Sequence, residues 1–468
     1  MREADRRQYL EGGRVGGGVI FHDEYSVALY GLSVGLKSEQ PNAELSSQSQ
    51  LMSAIIHHPL KALRSRDFRL YFAGQLVSVA GTWMQQIAMG WLAYRLTDSA
   101  LVLGLLGFAS QAPILLFGAL GGVWSDRWDR RRLMMLTQTL AMCQAMILAI
   151  LTWQGWITPS LLLTMAFVMG CINALDMPAR QSLVVHLVSD RTHLQNAIAL
   201  NSLLMNATRF IAPALAGFII ALLGEAICFI LNATSYLAVL LALWAIRARP
   251  GGDRSKPALH ALREGLSYTF SHRDIRLFLM LVAAVSFLVA PYVVMMPVYV
   301  KTIFHGDAST FGLLVSSAGA GSLSGSLFLA TRGSITGLAQ RVSLAAVSAG
   351  AALALFALNT QHALAYPILM ALGFSVVLVA AGSNTLLQSW VRDDMRGRVM
   401  ATFSMAFLGV APLGSLVVGS LAHGIGIRPT LFLCGVLTLL AGLLHFQRLR
   451  STIRQAKFVP SNNNNEET

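Results

Sequence analysis

The sequence predicts an all-α integral membrane protein with twelve transmembrane helices in two halves of six. The low charge content and the length of the uncharged segments predict this fold class. Of the 468 residues, 55% are hydrophobic and only 12% are charged, about half the roughly 25% charged residues of a soluble domain. Segments such as Ser99–Ser125 and Ala308–Thr331 contain no charge and exceed the roughly 20 residues that one bilayer crossing needs.

The other spans follow from the same pattern, with polar breaks dividing the longest segments. A membrane β-strand alternates apolar and polar residues over about ten positions, whereas these segments are apolar all round, so they predict helices. Three long segments with a polar break predict two helices each: Leu133–Leu175, Thr192–Ile246 and Val342–Val391. Single spans complete the twelve: Leu70–Tyr94, Ser99–Ser125, Leu277–Val300, Ala308–Thr331, Val399–Ile427 and Pro429–Gln447.

The basic residues predict the orientation. Alternate gaps between spans contain nearly all the lysines and arginines, and the gaps on the other side contain only Arg95, Lys301 and Arg428. Because positive charge is retained in the cytoplasm, both termini are predicted to be cytoplasmic and the location to be the bacterial inner membrane. This topology accounts for the net charge of +13, so no nucleic-acid partner is predicted.

The chain outside the spans divides into a tail, a linker and a second tail. Residues 1–58 are rich in polar residues and are predicted to be a disordered cytoplasmic tail, unless translation starts at Met52. Leu259, Leu262, Leu266 and Phe270 share one face of a predicted amphipathic helix in the linker. The predicted boundaries after residue 58 are 59–246 for the first half, 247–276 for the linker, 277–447 for the second half and 448–468 for the cytoplasmic C-terminal tail.

The strongest motif lies between the second and third spans, where the chain reads Gly-Val-Trp-Ser-Asp-Arg-Trp-Asp-Arg-Arg-Arg from Gly122. It resembles motif A of the major facilitator superfamily, with Asp129 at the position of a glycine. The resemblance implies the major facilitator fold and a latch that joins the two halves when the cytoplasmic side is closed. The alternative is that the arginines only anchor the topology. The implied latch residues are Gly122, Asp126, Arg127, Arg130, Arg131 and Arg132.

Further segments resemble one branch of that superfamily, the transmembrane secretion effectors, which is similar to enterobactin exporters and macrolide efflux pumps. These segments are Asn173–Gln181, Asn196–Ser202, Asn206–Gly217, Pro291–Pro297 and Arg396–Gly414. The resemblance implies a secondary-active exporter of small amphipathic molecules of drug or siderophore type, exchanged for protons by alternating access. The alternatives are an importer on the same scaffold, a lipid flippase and a non-transporting membrane partner.

A buried charge and a proline mark the fifth span. Arg209 lies about a turn and a half into it, where an ionised side chain costs at least ~2.5 kcal/mol, so it must face a partner, a cavity or the inner interface. Asp176 is the nearest predicted counter-charge, which gives a network of Asp176, Arg180 and Arg209. Pro213 and Gly217 resemble the antiporter motif C, with alanines for two glycines, and predict a hinge or a close helix contact.

Polar residues of the first span predict the lining of a central cavity. Gln75, Ser78, Thr82 and Gln85 recur on one helix face, and hydrogen bonds between helices are the alternative explanation. Residues of spans four, seven and ten line the cavity in the superfamily, which adds three candidates. The predicted lining residues are Gln75, Thr82, Trp83, Gln85, Gln86, Asn173, Tyr292 and Asn384.

Several kinds of chemistry have no motif in this sequence. There is no phosphate-binding loop of the G-x-x-x-x-G-K-[ST] type and no nucleophile–base constellation, so an enzyme is not predicted. The four cysteines fall singly in different spans, which predicts no metal site. The predicted partners are therefore a small-molecule substrate, protons and the lipid bilayer, with the protein acting as a monomer and without a cofactor.

Overall fold

The computed structural model describes the backbone of residues 61–187, 194–246, 267–332 and 334–457, without the side chains of residues 118–127, 182, 184–186, 194–195, 393–394 and 452–457. This part of the chain is helical and contains no strand. The first tail, most of the linker and the end of the second tail lie outside it. The helices, in chain order, are α1 (Arg66–Thr97), α2 (Ala100–Arg127), α3 (Arg130–Trp153), α4 (Pro159–Leu187), α5 (Leu194–Leu223), α6 (Glu225–Ala245), α7 (Arg273–Leu288), α8 (Tyr292–Thr302), α9 (Ala308–Ala330), α10 (Leu338–Leu358), α11 (His362–Trp390), α12 (Asp393–Ser404), α13 (Ala411–Ile425) and α14 (Ile427–Lys457).

The described helices confirm the predicted fold class. Eleven helical stretches are long and apolar enough to cross a membrane. Two of them combine shorter helices, α7 with α8 and α12 with α13, and a π-helical turn at Met405–Gly409 precedes α13. The 32 residues of α1 give the twelfth helix of sufficient length, whose hydropathy is lowered by the glutamines at positions 75, 85 and 86.

Local sequence explains where several helices begin. Asp129 is the N-cap of α3, and its carboxylate accepts a hydrogen bond of 2.9 Å from the backbone N–H of Arg132. The aspartate that departs from motif A therefore starts the third span by satisfying a free helix donor. Gly224 joins α5 to α6 with a φ of 83°, a left-handed conformation that glycine adopts without a steric cost.

The helices pack in two groups, with contacts between the groups at defined places. In the first group, α1 packs against α5 and α6, and α4 packs against α2 and α3. In the second group, α9 and α10 pack against α11, and α10 also packs against α14. The main contacts between the groups are α2 with α13 and α5 with α9. We name the end of the bundle where α1 ends and α2 begins the predicted outer end.

Asp307 caps α9 near the predicted outer end, and this cap provides a test of local stability. Its carboxylate accepts hydrogen bonds from the backbone N–H of Thr310 at 2.9 Å and from its hydroxyl at 3.0 Å. Loss of an N-cap side chain costs about 1 kcal/mol, so Asp307→Ala is expected to lower the free energy of unfolding by about that amount. Equilibrium unfolding in mixed detergent micelles measures this difference, and Asp307→Asn, which retains a capping oxygen, serves as the control.

The pH dependence of the same difference follows from the pKa of Asp307. The hydrogen bond from the Thr310 backbone N–H lowers the pKa of the Asp307 carboxyl below its ordinary value. A lowered folded-state pKa stabilises the protein above the unfolded-state pKa, and the effect is lost as the pH falls through the folded-state pKa. The stability difference between wild type and Asp307→Ala should therefore be full at neutral pH and shrink in acid. A difference that grows in acid would contradict the assignment.

Candidate functional site

The site is built around Arg209, which lies midway along α5 and is exposed. Its guanidinium carbon is 5.1 Å from the centroid of the Trp83 ring on α1, a cation–π contact. It also interacts electrostatically with Tyr292, the first residue of α8. Because α1 and α8 belong to different helix groups, Arg209 faces the interior between the groups and not the lipid.

Asp176 is not the partner of Arg209, so the predicted network has to be corrected. The Asp176 side chain accepts hydrogen bonds from Thr137 at 2.8 Å, from Gln138 at 2.8 Å and from Arg180 at 2.6 Å. Arg180 lies one helical turn further along α4, and this neighbouring position lets it neutralise the carboxylate. The described residues therefore contain an Asp176–Arg180 network that joins α4 to α3, and Arg209 lies outside it.

The polar face of α1 packs against other helices. Gln75 is fully buried and Gln85 is 3% exposed. The Gln85 side chain donates to Gln144 on α3 at 3.0 Å and accepts from Asn232 on α6 at 2.8 Å. Gln75 and Gln85 thus do not line a cavity in this conformation, contrary to the prediction. The physical reason for Gln85 is that amides of neighbouring helices satisfy its amide. The Gln75 amide is enclosed by helix packing and has no hydrogen-bond partner among the described residues.

The other predicted lining residues occupy varied positions. Thr82 forms a 3.4 Å hydrogen bond with the Tyr236 hydroxyl, in the same helix-packing layer. Gln86 is exposed, and Asn173 and Asn384 are half-buried. Asn384 accepts a hydrogen bond from Gln388, one turn along α11. Of the predicted lining residues, Trp83 contacts Arg209, and Tyr292 lies within electrostatic range of it.

The predicted hinge lies in a close contact between α5 and α9. A Cβ atom added to Gly217 would lie 3.0 Å from the Cα of Gly312, and one added to Gly312 would collide with the carbonyl oxygen of Pro213. The same device joins α2 to α13, where a Cβ on Gly104 would lie 2.9 Å from the Cα of Gly419. Small residues allow such backbone contacts between helices. Both contacts hold the two groups together in the predicted outer half of the bundle.

An aromatic cluster, not predicted from the sequence, also joins the two helix groups near the predicted outer end. Trp91 at the end of α1 stacks on Phe311 of α9, with ring centroids 5.9 Å apart. The ammonium of Lys301 on α8 lies 5.0 Å from the centroid of the same Trp91 ring. The only available signal in the sequence was that Lys301 is one of the three basic residues predicted to be outside. The cluster connects α1 of the first group to α8 and α9 of the second.

The latch residues are described only in part. The backbone of Gly122, Asp126 and Arg127 belongs to the last turns of α2, and their side chains lie outside the described residues. Arg131 donates to the carbonyl oxygens of Leu243 at 2.6 Å and Trp244 at 2.8 Å. These carbonyls end α6, where basic side chains are favourable. Arg131 therefore joins helices of one group, while Arg132 is exposed and Arg130 is half-buried.

Within the described residues, no three histidine, cysteine, aspartate or glutamate side chains cluster in a way that could hold a metal ion. The chemistry that the Arg209 site offers is non-covalent. Arg209 supplies a delocalised positive charge with several N–H donors, and Trp83 supplies an aromatic surface. Such an arrangement can bind and orient a small molecule.

Comparisons with known proteins agree with this architecture. The chain is 26% identical over 376 residues to the staphyloferrin A transporter of Staphylococcus aureus, a match that covers 79% of this chain and 93% of that protein. It is 22% identical over 379 residues to the multidrug efflux pump Tap of Mycolicibacterium fortuitum, covering 79% and 92%. These relatives are transporters and not enzymes.

The fold also matches solved structures. A bacterial homologue of the human lysosomal transporter Spinster, in an inward-facing and unoccupied conformation, superposes with a TM-score of 0.66 at 14% identity. That match covers 86% of this chain and all of the other. The family model described as transmembrane secretion effector matches residues 57–468. The chain therefore belongs to the transmembrane secretion effector family of major facilitator transporters.

Proposed function

We propose that the protein is a secondary-active exporter of small amphipathic molecules of drug or siderophore type, working by alternating access in exchange for protons. The observation that carries the proposal is the position of Arg209, between two helix groups that meet closely in the predicted outer half of the bundle. A binding site between halves, closed towards one side, is the arrangement that alternating access requires. The relatives that are named as a transporter and as an efflux pump support the same class of activity.

The nature of the outer contacts supports reversible opening. Glycine contacts between α5 and α9, and between α2 and α13, bring backbones together without burying an ion pair. The stack of Trp91 on Phe311 is likewise a contact of apolar rings. Separating such surfaces breaks no ion pair, so we propose that a second conformation with separated outer ends is accessible to the bundle. We propose that the described conformation is the one open to the cytoplasm.

The proposed location is the cytoplasmic membrane of a bacterium, with both termini in the cytoplasm and the protein acting as a monomer. The distribution of arginine and lysine between alternate gaps supports this orientation. In this orientation the contacts of Gly217 and Gly104 lie towards the outside, and we propose that Arg209 is reached from the cytoplasm. A molecule from the cytoplasm would therefore reach the site before the outer contacts open.

Everted membrane vesicles carrying the full chain test the proposal. In these vesicles the cytoplasmic face is outside, an acidic interior is generated by respiration, and single candidate drugs and siderophores are added. The expected result is a collapse of the proton gradient that depends on the added molecule and on expression of the protein. A molecule that accumulates in right-side-out vesicles would instead assign an importer, and a flat response to the whole panel would contradict proton-coupled export.

Two variants control the vesicle experiment. Asp126→Asn removes the carboxylate that the motif A resemblance implies for the latch, and it is expected to abolish the response. Arg341→Gln removes an exposed arginine at the start of α10, far along the chain from the site residues, and it is expected to retain the response. Loss of activity in both variants would indicate a general expression defect.

A further inference from the structure

We propose that Arg209, Trp83 and Tyr292 form a binding site for the carboxylate group of an amphipathic organic acid. This inference rests on the proposed export function, because it names the class of substrate that the interior site accepts. It narrows that function from amphipathic molecules in general to anionic ones.

The first step is that the charge of Arg209 is available to a ligand. Its side chain is exposed although it lies midway along a membrane-spanning helix. A lipid-facing arginine at this depth is strongly disfavoured, and the contact with Trp83 on α1 and the interaction with Tyr292 on α8 direct it between the helix groups. The guanidinium is therefore directed into the region between the helix groups.

The second step is the absence of a counter-charge within the described residues. Arg209 forms no ion pair there, while the two carboxylates that do form ion pairs, Asp176 and Glu225, are held by Arg180 and Arg95. A positive site of this kind repels a cationic cargo. An anionic cargo supplies the missing counter-charge, and a charge in a membrane interior requires such a partner.

The third step concerns which anion fits. A guanidinium presents parallel N–H groups that match the two oxygens of a carboxylate. The Trp83 ring lies over the guanidinium and restricts its orientation. Tyr292, whose hydroxyl can donate a hydrogen bond, lies within electrostatic range of the same charge. The half-buried aromatic surface of Trp83 favours an organic acid with an apolar ring over a small inorganic anion.

A matched pair of probes tests this assignment. Binding of 2-naphthoate and of its neutral analogue 2-naphthamide to the full chain in phosphatidylcholine nanodiscs is measured by isothermal titration calorimetry at neutral pH. Charge-assisted hydrogen bonds correspond to an affinity difference of roughly tenfold to a hundredfold, so naphthoate is expected to bind more tightly by that factor. Equal affinity for both probes, or no binding of naphthoate, would overturn the proposal.

Variants assign the preference to the named residues. Arg209→Gln is expected to remove the preference for naphthoate, Arg209→Lys to retain part of it, and Arg341→Gln to leave it unchanged. Tyr292→Phe removes one neutral donor and should weaken naphthoate binding by about two- to tenfold. If Arg209→Gln does not fold, the Lys and Phe variants keep the test decisive. A full preference for naphthoate in Arg209→Gln would overturn the assignment, as would, if that variant does not fold, a full preference in Arg209→Lys together with wild-type naphthoate affinity in Tyr292→Phe.

Two further experiments distinguish an organic acid from a lipid phosphate, and the binding inference from the proposed export function. Adding phosphatidylglycerol to the nanodiscs supplies an anionic lipid headgroup, and displacement of naphthoate by this lipid would overturn the organic-acid assignment in favour of a lipid phosphate. The vesicle assay separates the inference from the proposed function. Export of cationic drugs that is unaffected by Arg209→Gln would leave the function standing and the inference refuted, whereas Arg209-dependent binding without any transport would refute the function alone.

Discussion

Asp176→Ala is expected to lower the free energy of unfolding by about 3 kcal/mol, at the lower end of the 3–5 kcal/mol for breaking a buried ion pair. Asp176 is 2% exposed and accepts hydrogen bonds from Thr137, Gln138 and Arg180. Its removal leaves the Arg180 charge without a partner in the helix bundle. The lower end of the range applies because 20% of the Arg180 side chain is exposed and retains some solvation.

Equilibrium unfolding in mixed detergent micelles measures this loss, and size-exclusion chromatography shows whether the purified variant is folded. Asp176→Asn retains the shape and the acceptor oxygen but not the charge, so a smaller loss of about 1–2 kcal/mol is expected. Asp307→Ala, which removes an exposed carboxylate, is the matched control. If Asp176→Ala were as stable as Asp307→Ala, the network would not hold α3 and α4 together.

Gly312→Val is expected to reduce transport by at least about fivefold because it prevents closure between α5 and α9. Any Cβ on Gly312 would collide with the carbonyl oxygen of Pro213 and lie 2.9 Å from the Cα of Gly217. Overpacking of a close contact costs about 1–3 kcal/mol, which changes the ratio of two conformations by roughly five- to 150-fold. The variant should therefore populate the conformation with separated outer ends.

The vesicle assay measures this effect as a slower cargo-dependent collapse of the proton gradient. Gly424→Val is the matched control, because a Cβ at Gly424 on α13 would meet no atom within 4 Å. Gly312→Ala adds a smaller side chain and should have an intermediate rate. Wild-type transport by Gly312→Val would show that close contact between α5 and α9 is not needed in the cycle.

Much of the fold could be predicted because a bilayer imposes simple requirements on sequence. Uncharged segments of sufficient length located the spans, and the polar break at Gly224-Glu225 coincides with the turn between α5 and α6. The bend that separates α7 from α8 was not predicted, because the segment around Pro291 is apolar on both sides. Hydropathy locates a span but gives no information on whether its helix is continuous.

The site was harder to predict because the rotation of a helix in a bundle depends on its neighbours. Spacing placed Gln75 and Gln85 on one face of α1, and that face packs against α3 and α6. At Gln85 the polar stripe forms hydrogen bonds between helices, which was the alternative explanation for it. A pattern within one helix cannot show that Gln144 and Asn232 will supply the hydrogen bonds.

For Arg209, the sequence predicted that the residue has a role but not which residues of other helices lie beside it. Its cost in a membrane made a functional or structural role predictable from one residue. Its partners were not predictable, because Asp176 had a closer arginine on its own helix at Arg180. The partners that the structure gives, Trp83 and Tyr292, lie far away in sequence on α1 and α8.

Alternating access through the outer contacts is tested most directly by a distance measurement at the predicted outer end. Spin labels are attached at Leu222 on α5 and Leu313 on α9, two exposed positions beside the Gly217–Gly312 contact, and distances are recorded by pulsed electron paramagnetic resonance in liposomes. We expect a short and a long distance population in the wild type, with the long population increased by Gly312→Val and unchanged by Gly424→Val. A single short distance, retained when cargo and a proton gradient are applied, would contradict it.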